Sequence, residues 1–269
     1  VPGIDSFAVK ISPGFFDNPK LGLPSTTGLM VLFSSSTGML KAILLDNGYL
    51  TDVRTAAAGA VAASHLARDD AAAACVIGAG VQARLQLKAL SLVRPITRAL
   101  IWGRDVLKAE AAAASLRDDL GFDVTAATDL ESAVASSDVI ITTTPSASPL
   151  IMGEWLHAGQ HITAVGSDQE HKVELSPSCL AKATRYVPDS QAQCSIKGEL
   201  RSAIAAGIFA SDQAFAELGD ICAGITSGRQ SAADITIADL TGTGVQDTAI
   251  ATLAYRSADT AATGTTFFN

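Results

Sequence analysis

The hydrophobic and polar positions of this chain change their period along its length. Residues 7–12 alternate between apolar and polar side chains, as in a strand that buries one face. From residue 72 onward, short apolar runs alternate instead with alanine-rich segments of helical period. This order predicts an α/β fold with a doubly wound parallel sheet, of the Rossmann type.

Seven apolar runs of the second region are predicted strands, and helical patterns lie between most of them. The predicted strands are 73–78, 98–102, 123–127, 138–143, 161–165, 185–187 and 235–239. The predicted helices are 83–93, 106–116, 129–135, 195–205 and 245–256. Ligands bind such a sheet outside the carboxyl ends of its strands, so the residues that follow each strand are the candidates for function.

The first part of the chain predicts antiparallel strands. Residues 29–33 and 42–45 form a plausible hairpin beside the strand at 7–12. The loop at 13–28 is rich in glycine and proline, and is as suited to covering a site as to connecting strands. Lys10 points away from the apolar positions of its strand, so this segment alone favours a lysine that faces solvent.

A long helix is predicted over residues 50–66, with Thr51 as its N-cap. Its body is composed of unusually small residues, which permits close packing against a neighbouring element. Arg54 would lie in the first turn, where a cation opposes the helix dipole. The arginine therefore requires a partner, which is either an anionic ligand or a nearby carboxylate.

A glycine motif follows the first strand of the predicted parallel sheet. Gly78 permits a tight turn, Gly80 lets backbone N–H groups approach a pyrophosphate, and Ala83 lets the helix lie close to the strand. Val81 and Gln82 complete the turn. The helix N-terminus then faces the phosphates, so all five residues are candidate cofactor contacts.

The end of the next strand bears on the choice of cofactor. Trp102 is followed by Gly103, Arg104 and Asp105. An acidic residue there binds the ribose 2′-OH of NAD, whereas an arginine accepts the 2′-phosphate of NADP. Arg104 lies nearer the expected position and favours NADP slightly, while NAD remains open. Asp105 alone is equally consistent with a solvated turn.

Two further strand ends carry candidate groups. Thr143 and Thr144 offer hydroxyls and backbone donors beside the expected nicotinamide ribose. Gly166 is followed closely by Asp168, a carboxylate at the expected position of the nicotinamide ring. A Ser-Pro pair at 176–177 is the better cap for the next helix, which leaves Asp168 available for chemistry. Another glycine-rich turn, at 240–244, favours a tight turn over a second phosphate site.

Composition excludes several classes of protein. The chain has 269 residues, 48% of them hydrophobic, with a mean hydropathy of +0.30. No apolar run reaches the roughly 18 residues that a membrane span needs. The net charge is −8 and lysine and arginine do not cluster, which argues against nucleic-acid binding.

No metal site is predicted. The four cysteines are widely spaced and are expected to be reduced, mostly buried thiols in a cytoplasmic protein. His157 and His161 flank Gly159 before a strand, which does not favour zinc. No signal peptide is visible. The cysteines are Cys75, Cys179, Cys194 and Cys222.

Four segments, in this order, resemble the ornithine cyclodeaminase and mu-crystallin family. They are LTDVRTAAAGAVAA (50–63), VIGAGVQARLQL (76–87), VGSDQEHKVEL (165–175) and GTGVQDTAIA (242–251). The loop KISPGFFDNPKLGLP (10–24), with the segment LLDNGYLTDVRTAAAG that follows it, is most similar to the branch named for ectoine utilisation.

The resemblance implies a homodimer of two-domain subunits. Residues 71–242 would form the NAD(P)-binding Rossmann domain. Residues 1–70 with 243–269 would form a smaller α+β lobe for substrate binding and dimerisation. Lys10 and Arg54 would hold the substrate carboxylate or polarise an imine, and Asp168 would be the general acid and base. Family members commonly have a further arginine upstream of the segment that matches residues 7–10, and no residue before Val1 is available to supply it.

The implied chemistry is hydride transfer at the Cα of a small amino acid, which produces an imine. In a cyclodeaminase acting on an ornithine-like substrate, the side-chain amine attacks the imine, ammonia leaves and the hydride returns. In an imino-acid reductase or amino-acid dehydrogenase, the reaction stops after one transfer. A ligand-binding protein without activity, like mu-crystallin, is the third hypothesis, and the presence of Lys10, Arg54 and Asp168 together weighs against it.

Overall fold

A computed structural model describes residues 3–15 and 17–266 of the chain. The contacts divide the chain into two compact units, residues 1–54 with 243–269, and residues 55–242. The strands are β1 (Ser6–Ile11), β2 (Leu29–Ser34), β3 (Leu40–Leu44), β4 (Ala73–Ile77), β5 (Arg98–Trp102), β6 (Asp123–Ala127), β7 (Val139–Thr142), β8 (His161–Ala164), β9 (Arg185–Pro188) and β10 (Thr236–Asp239). The helices are α1 (Tyr49–Leu66), α2 (Val81–Ser91), α3 (Val106–Leu120), α4 (Leu130–Ala135), α5 (Pro177–Lys182), α6 (Gln191–Cys194), α7 (Glu199–Ala205), α8 (Leu218–Cys222) and α9 (Gly244–Thr260).

In the first unit, β1, β2 and β3 form an antiparallel sheet, and α9 packs on one of its faces. The covered face is the one that carries Lys10, and its core contains Met30, Leu32 and Ala251. The apolar positions of β1 are left 42–56% exposed; they are Phe7, Val9 and Ile11. The expectation that Lys10 faces solvent is therefore wrong, because alternation identifies two faces but not which one a distant helix covers.

Helix α1 begins two residues before the predicted cap. The Asp46 carboxylate accepts a hydrogen bond from the Leu50 N–H at 2.7 Å, so Asp46 and not Thr51 satisfies the helix start. The sequence signal is the Asp-Asn-Gly turn at 46–48, in which Asn47 has a φ of 53° and Gly48 a φ of 90°. Arg54 consequently lies beyond the first turn, and the dipole argument does not explain its partner.

The small residues of α1 do allow close packing. Gly59 has no room for a Cβ, because the Gln86 side chain of α2 lies against it. The Gln86 amide donates to the Thr55 carbonyl at 3.0 Å. The buried helix positions are Ala56, Ala58, Gly59, Ala62, Ala63 and Leu66. The contacts therefore divide the chain within α1, at residue 54, whereas the sequence placed a boundary after residue 70.

The second unit contains the predicted parallel sheet, with the strand order β6-β5-β4-β7-β8-β10-β9. All of its pairings are parallel. The chain starts at β4, builds outward through β5 and β6, and then returns to place β7 on the other side of β4. The strand order thus reverses between β4 and β7, and in such folds this point is where ligands bind.

One predicted helix, 195–205, is wrong in extent. Only α7 lies in this range. Helix α6 ends before it, at Cys194, and α7 begins after Gly198, which has a φ of 99°. The Asp239 carboxylate accepts hydrogen bonds from the N–H groups of Glu199 and Leu200 at 2.8 and 3.1 Å. This buried acid satisfies the first turn of α7, so a new helix begins where the pattern predicts continuity.

All four cysteines are free thiols, and three of them are buried. Burial raises the pKa of the Cys75 and Cys179 thiols to about 12, so both are inert at neutral pH. None of the helices described here combines the length and apolarity that a membrane span requires.

Candidate functional site

The glycine motif forms the turn between β4 and α2. Gly78 has a φ of 127°, and a Cβ there would collide with the Thr143 hydroxyl. Its N–H donates to the Trp102 carbonyl at 2.8 Å. Conformation and packing therefore both require glycine at position 78.

Gly80 differs from Gly78, because neither φ nor packing requires it to be glycine. It is the N-cap of α2 with a φ of −85°, and a Cβ there would meet no described protein atom within 4 Å. The N-terminus of α2 is thus left open beside the turn. Val81 is exposed, Gln82 is half-buried and Ala83 is buried against the sheet.

After β5, the two residues that bear on cofactor choice have different environments. The Asp105 carboxylate caps α3 by accepting a hydrogen bond from the Lys108 N–H at 3.2 Å. The Arg104 side chain is exposed and makes no hydrogen bond or ion pair with any residue that the structure describes. The guanidinium is therefore available to a ligand, whereas the carboxylate already has a structural role.

The donors after β7 are engaged by the protein itself. The Thr143 N–H and hydroxyl both donate to the Ile77 carbonyl, at 2.9 and 3.2 Å. The Thr144 N–H and hydroxyl donate to Glu174 Oε1 at 2.6 and 2.7 Å. Both threonines thus shape the edge of the sheet, and their donors are satisfied within the chain.

Glu174 is a fully buried residue that links the ends of β7 and β8. Its Oε2 accepts hydrogen bonds from the Thr142 hydroxyl at 2.6 Å and from the Gly166 N–H at 2.8 Å. Gly166 has no room for a Cβ, because the Thr144 carbonyl and the Glu174 carboxylate lie against it. Burial raises the pKa of Glu174, and the hydrogen bonds oppose that shift.

The sequence interpretation missed Glu174. The available signal was weak: Glu174 stands between two apolar residues, Val173 and Leu175, and a carboxylate that is buried with such neighbours needs internal hydrogen-bond donors.

Two more buried carboxylates continue this arrangement. Glu199 accepts hydrogen bonds from the N–H groups of Glu174 and Leu175 at 2.8 and 3.2 Å. Asp239, which satisfies the start of α7, also accepts from the Tyr186 hydroxyl at 2.6 Å. Removal from water raises the pKa of Glu199 to about 8 and that of Asp239 to about 7. Each acid fixes the backbone that carries the next one.

Asp168 lies in the loop after β8 and is paired with a lysine. Its Oδ1 is 2.7 Å from the Lys172 Nζ, and the side chains are 48% and 5% exposed respectively. The Ser176 hydroxyl caps α5, with Pro177 in the first turn, so the predicted cap is confirmed. Asp168 is therefore not a helix cap and keeps a solvent-accessible carboxylate.

The glycine-rich turn at 240–244 is occupied by an acid. Asp189 accepts hydrogen bonds from the Thr241 hydroxyl at 2.9 Å and from the Gly242 N–H at 2.7 Å. A carboxylate that holds these donors excludes a phosphate from them. This agrees with the interpretation of the segment as a tight turn.

Lys10 and Arg54 belong to the first unit, where both contact Asp247 of α9. The Lys10 Nζ lies 3.0 Å from Asp247 Oδ2, and the Arg54 Nε lies 3.1 Å from Oδ1. The Arg54 Nη1 also donates to Gln246 Oε1 at 2.9 Å. Of the two partners that the sequence allowed for Arg54, the structure contains the nearby carboxylate. Two cations thus share the Asp247 carboxylate.

The sequence interpretation also missed Asp247. Its position in the first turn of a helix is typical of an ordinary acidic residue, and more than 230 residues separate it from Lys10. Only the tertiary structure reveals this ion pair.

The sequence profile of the ornithine cyclodeaminase/mu-crystallin family matches residues 2–262. The chain belongs to this family. One relative, an uncharacterized cyclodeaminase of Sinorhizobium fredii, is 59% identical over 99% of this chain and 81% of its own length. Membership confirms the family resemblance, and the assignment to the ectoine branch stays a prediction.

Two solved structures of family enzymes are similar over most of the chain. The Δ1-pyrroline-2-carboxylate reductase of Thermococcus litoralis, in complex with NADH and L-proline, has a TM-score of 0.91 and 32% identity, covering 97% of this chain and 80% of its own. A lysine cyclodeaminase, studied for its recognition of L-lysine, L-ornithine and L-2,4-diaminobutyric acid, has a TM-score of 0.85 and 32% identity, covering 97% and 74%. They confirm the α/β Rossmann fold with a second, smaller lobe.

The Lys10–Arg54–Asp247 cluster predicts a loss of stability in the Asp247→Asn variant. The substitution keeps the shape of the side chain but leaves two mostly buried cations without their shared counter-charge. We expect the free energy of unfolding in urea to fall by about 1–3 kcal/mol. Asp259→Asn, at an exposed acid of the same helix, is the matched control. Equal stability of the two variants would contradict the importance of the cluster.

Proposed function

We propose that this chain is an NAD(P)-dependent cyclodeaminase that acts on a small, ornithine-like L-amino acid. The reaction proceeds by hydride transfer at the substrate Cα through an imine. The observation that carries the proposal is the combination of family membership with an open helix N-terminus at Gly80, in a fold whose strand order reverses beside it.

The turn after β4 fits the pyrophosphate of a dinucleotide. Neither backbone conformation nor packing requires the glycine at position 80, and the lack of a side chain there leaves the backbone donors of α2 accessible to an anion. We propose that Gly78, Gly80, Val81, Gln82 and Ala83 form this part of the cofactor site. Thr143, Thr144 and Gly166 would border the nicotinamide end, as parts of a rigid edge.

We propose that the cofactor is NADP rather than NAD. The unengaged guanidinium of Arg104 suits a 2′-phosphate, because arginine binds phosphate through paired, charge-assisted hydrogen bonds. Asp105 lies beside it, but its carboxylate already caps α3. This arrangement favours the phosphate over a ribose hydroxyl.

Lys10 and Arg54 are proposed to bind the carboxylate of the substrate. Both side chains are cations that already bind one carboxylate, that of Asp247, at 3.0 and 3.1 Å, and a substrate carboxylate is an anion of the same kind. The ion pairs with Asp247 restrain both side chains, which lowers the entropy lost when the substrate binds.

Asp168 is proposed to be the general acid and base. Its carboxylate would accept a proton from the substrate nitrogen and return it to the leaving amine. The half-exposed position leaves it accessible to a substrate. A bound nicotinamide supplies the means of accepting a hydride from Cα and returning it.

The second candidate function is the reduction of a small imino acid by NAD(P)H. The similarity to a Δ1-pyrroline-2-carboxylate reductase with NADH and L-proline bound favours it. The same residues serve both reactions, and the difference lies in whether the hydride is returned. A ligand-binding role without catalysis is disfavoured, since the chain retains Lys10, Arg54 and Asp168.

We also propose a cytoplasmic homodimer. The free, buried thiols are typical of a reducing compartment. The exposed face of the β1-β2-β3 sheet is apolar across all three strands, with Val9, Val31 and Ile43 in register. A second copy is the occupant that we propose, because an unpaired apolar sheet face of this kind is typical of a protein interface.

The first experiment separates the two reactions. With L-ornithine and a catalytic amount of NAD⁺ or NADP⁺, a cyclodeaminase releases ammonia and proline without accumulating the reduced cofactor. A reductase instead consumes NAD(P)H in equal amount with Δ1-pyrroline-2-carboxylate. Ammonia and proline are measured directly, and the cofactor is followed by absorbance. The absence of both reactions would contradict the proposed function.

The control for this assay is Asp168→Asn. It should lower kcat by roughly 10²- to 10⁴-fold, because the amide cannot exchange the proton. Cofactor affinity, measured by fluorescence titration, should stay close to that of the unmodified protein. Unchanged turnover would remove Asp168 from the mechanism.

Cofactor choice is tested with Arg104→Ser. We expect the KM for NADPH to rise by about 10- to 100-fold, the loss expected for charged hydrogen bonds to a phosphate. The KM for NADH should stay nearly unchanged. Arg117→Ser, at another exposed arginine after β5, is the control. A KM for NADPH that does not respond to the loss of Arg104 would argue for NAD.

The dimer is tested with Ile43→Glu, which places a charge in the centre of the exposed sheet face. The unmodified protein should sediment with twice the mass of the chain, and the variant should shift toward the monomer. Leu107→Glu places the same charge at an exposed leucine of α3 and should leave the mass unchanged. A monomeric unmodified protein would contradict the proposal.

A further inference from the structure

The loop that carries Asp168 is closed by a buried carboxylate. It leaves β8 at Gly166, whose N–H donates to Glu174 Oε2 at 2.8 Å, and it ends at Glu174 itself. The Glu174 carbonyl in turn accepts from the Leu150 and Ile151 N–H groups at 2.7 and 3.1 Å. Both ends of the loop are therefore fixed to the same side chain and to the sheet edge.

Lys172 is the buried side chain within this loop. Its N–H donates to the Gln169 carbonyl at 3.0 Å, and its carbonyl accepts from the Arg201 guanidinium at 3.1 Å. The backbone of Lys172 is thus fixed from both sides. Its side chain is only 5% exposed, so its direction is set by packing rather than by solvent.

Asp168 has the opposite character. Its carboxylate is 48% exposed, and a carboxylate so accessible to water samples several rotamers unless a partner fixes it. The Lys172 ammonium donates to Oδ1 at 2.7 Å, the short distance typical of a charge-assisted hydrogen bond. Oδ2 accepts no hydrogen bond from the described residues. One oxygen is held while the other stays available.

We propose that Lys172 is a positioning residue for Asp168. It holds Oδ1 and thereby directs Oδ2 to the substrate nitrogen, with which the carboxylate exchanges a proton. This inference rests on the proposed role of Asp168 as the acid and base. In this role Lys172 acts through Asp168.

The kinetic test compares Lys172→Met, Lys172→Arg, Asp168→Asn and the double variant Asp168→Asn with Lys172→Met. The substrates are L-ornithine with NADP⁺, and Δ1-pyrroline-2-carboxylate with NADPH. Lys172→Met should lower kcat on the order of 10- to 100-fold, the cost of a misdirected catalytic group, with little change in either KM. Lys172→Arg should recover part of the loss, because it restores a donor to Oδ1.

The double variant distinguishes positioning from a structural role. If Lys172 acts only through Asp168, the double variant is no slower than Asp168→Asn alone. Losses that multiply would overturn the proposal, as would a kcat of Lys172→Met equal to that of the unmodified enzyme. Lys88→Met, which removes the 2.6 Å ion pair to Asp119 on the surface of the same unit, should leave kcat unchanged.

A second measurement does not depend on turnover. Hydrogen exchange of residues 167–173 includes the Lys172 amide, which is bonded across the turn to Gln169. Exchange of this segment should stay unchanged in both Lys172→Met and Lys88→Met, because the substitution keeps the backbone bonds of residue 172 to Gln169 and Arg201. Faster exchange in Lys172→Met would overturn the proposal, since the lysine would then order the loop and not only the Asp168 carboxylate. If the unmodified protein converts neither substrate, the proposed function fails, while the exchange result still decides whether Lys172 orders the loop.

Discussion

The hydrogen bonds to the buried Glu174 carboxylate are the constraint on which the edge of the second unit depends. Four donors from the ends of β7 and β8 converge on its two oxygens, which the sheet itself could not satisfy. A buried carboxylate without such donors would cost several kcal/mol, so side chain and loops can be stable only together. Glu199 holds the backbone of Glu174, and Asp239 holds that of Glu199. The loop geometry thus follows from a series of buried acids, each bound to backbone N–H groups.

The side chains proposed to bind the substrate or to exchange its proton share a second feature. Each is held in place by a side chain of opposite charge within the protein itself. Asp247 fixes Lys10 and Arg54 in the first unit, and Lys172 fixes Asp168 in the second. In both units, the side chain that does the fixing is no more exposed to solvent than the group that it fixes. This is a physical advantage for an enzyme that binds small, charged substrates, because little side-chain entropy remains to be lost on binding. The partners are as necessary to the proposed site as the groups that would meet the substrate.

Local patterns predicted much of the fold and less of the site. The parallel strands of the second unit and the turn at Gly78 follow from apolar runs and glycine spacing, which are properties of neighbouring residues. Three features depend instead on contacts with distant residues or on turn chemistry. They are the buried face of β1, the capping of α1 by Asp46 and the start of α7 after Gly198. The same reason explains the missed acids. Asp247 and Glu174 acquire their roles from partners far away in sequence or from loops that only the folded sheet brings together.

The two glycines of the first turn show how the structure adds to a short motif. A pair of glycines between strand and helix is common in proteins that bind no nucleotide, so the spacing alone has little weight. Gly78 is fully explained by its backbone conformation and by Thr143, and any tight turn at this place would require it. Gly80 has ordinary dihedral angles and empty space where its Cβ would be. Conformation and packing therefore do not require a glycine at position 80, and the open N-terminus of α2 beside it is the feature on which the proposed cofactor site rests.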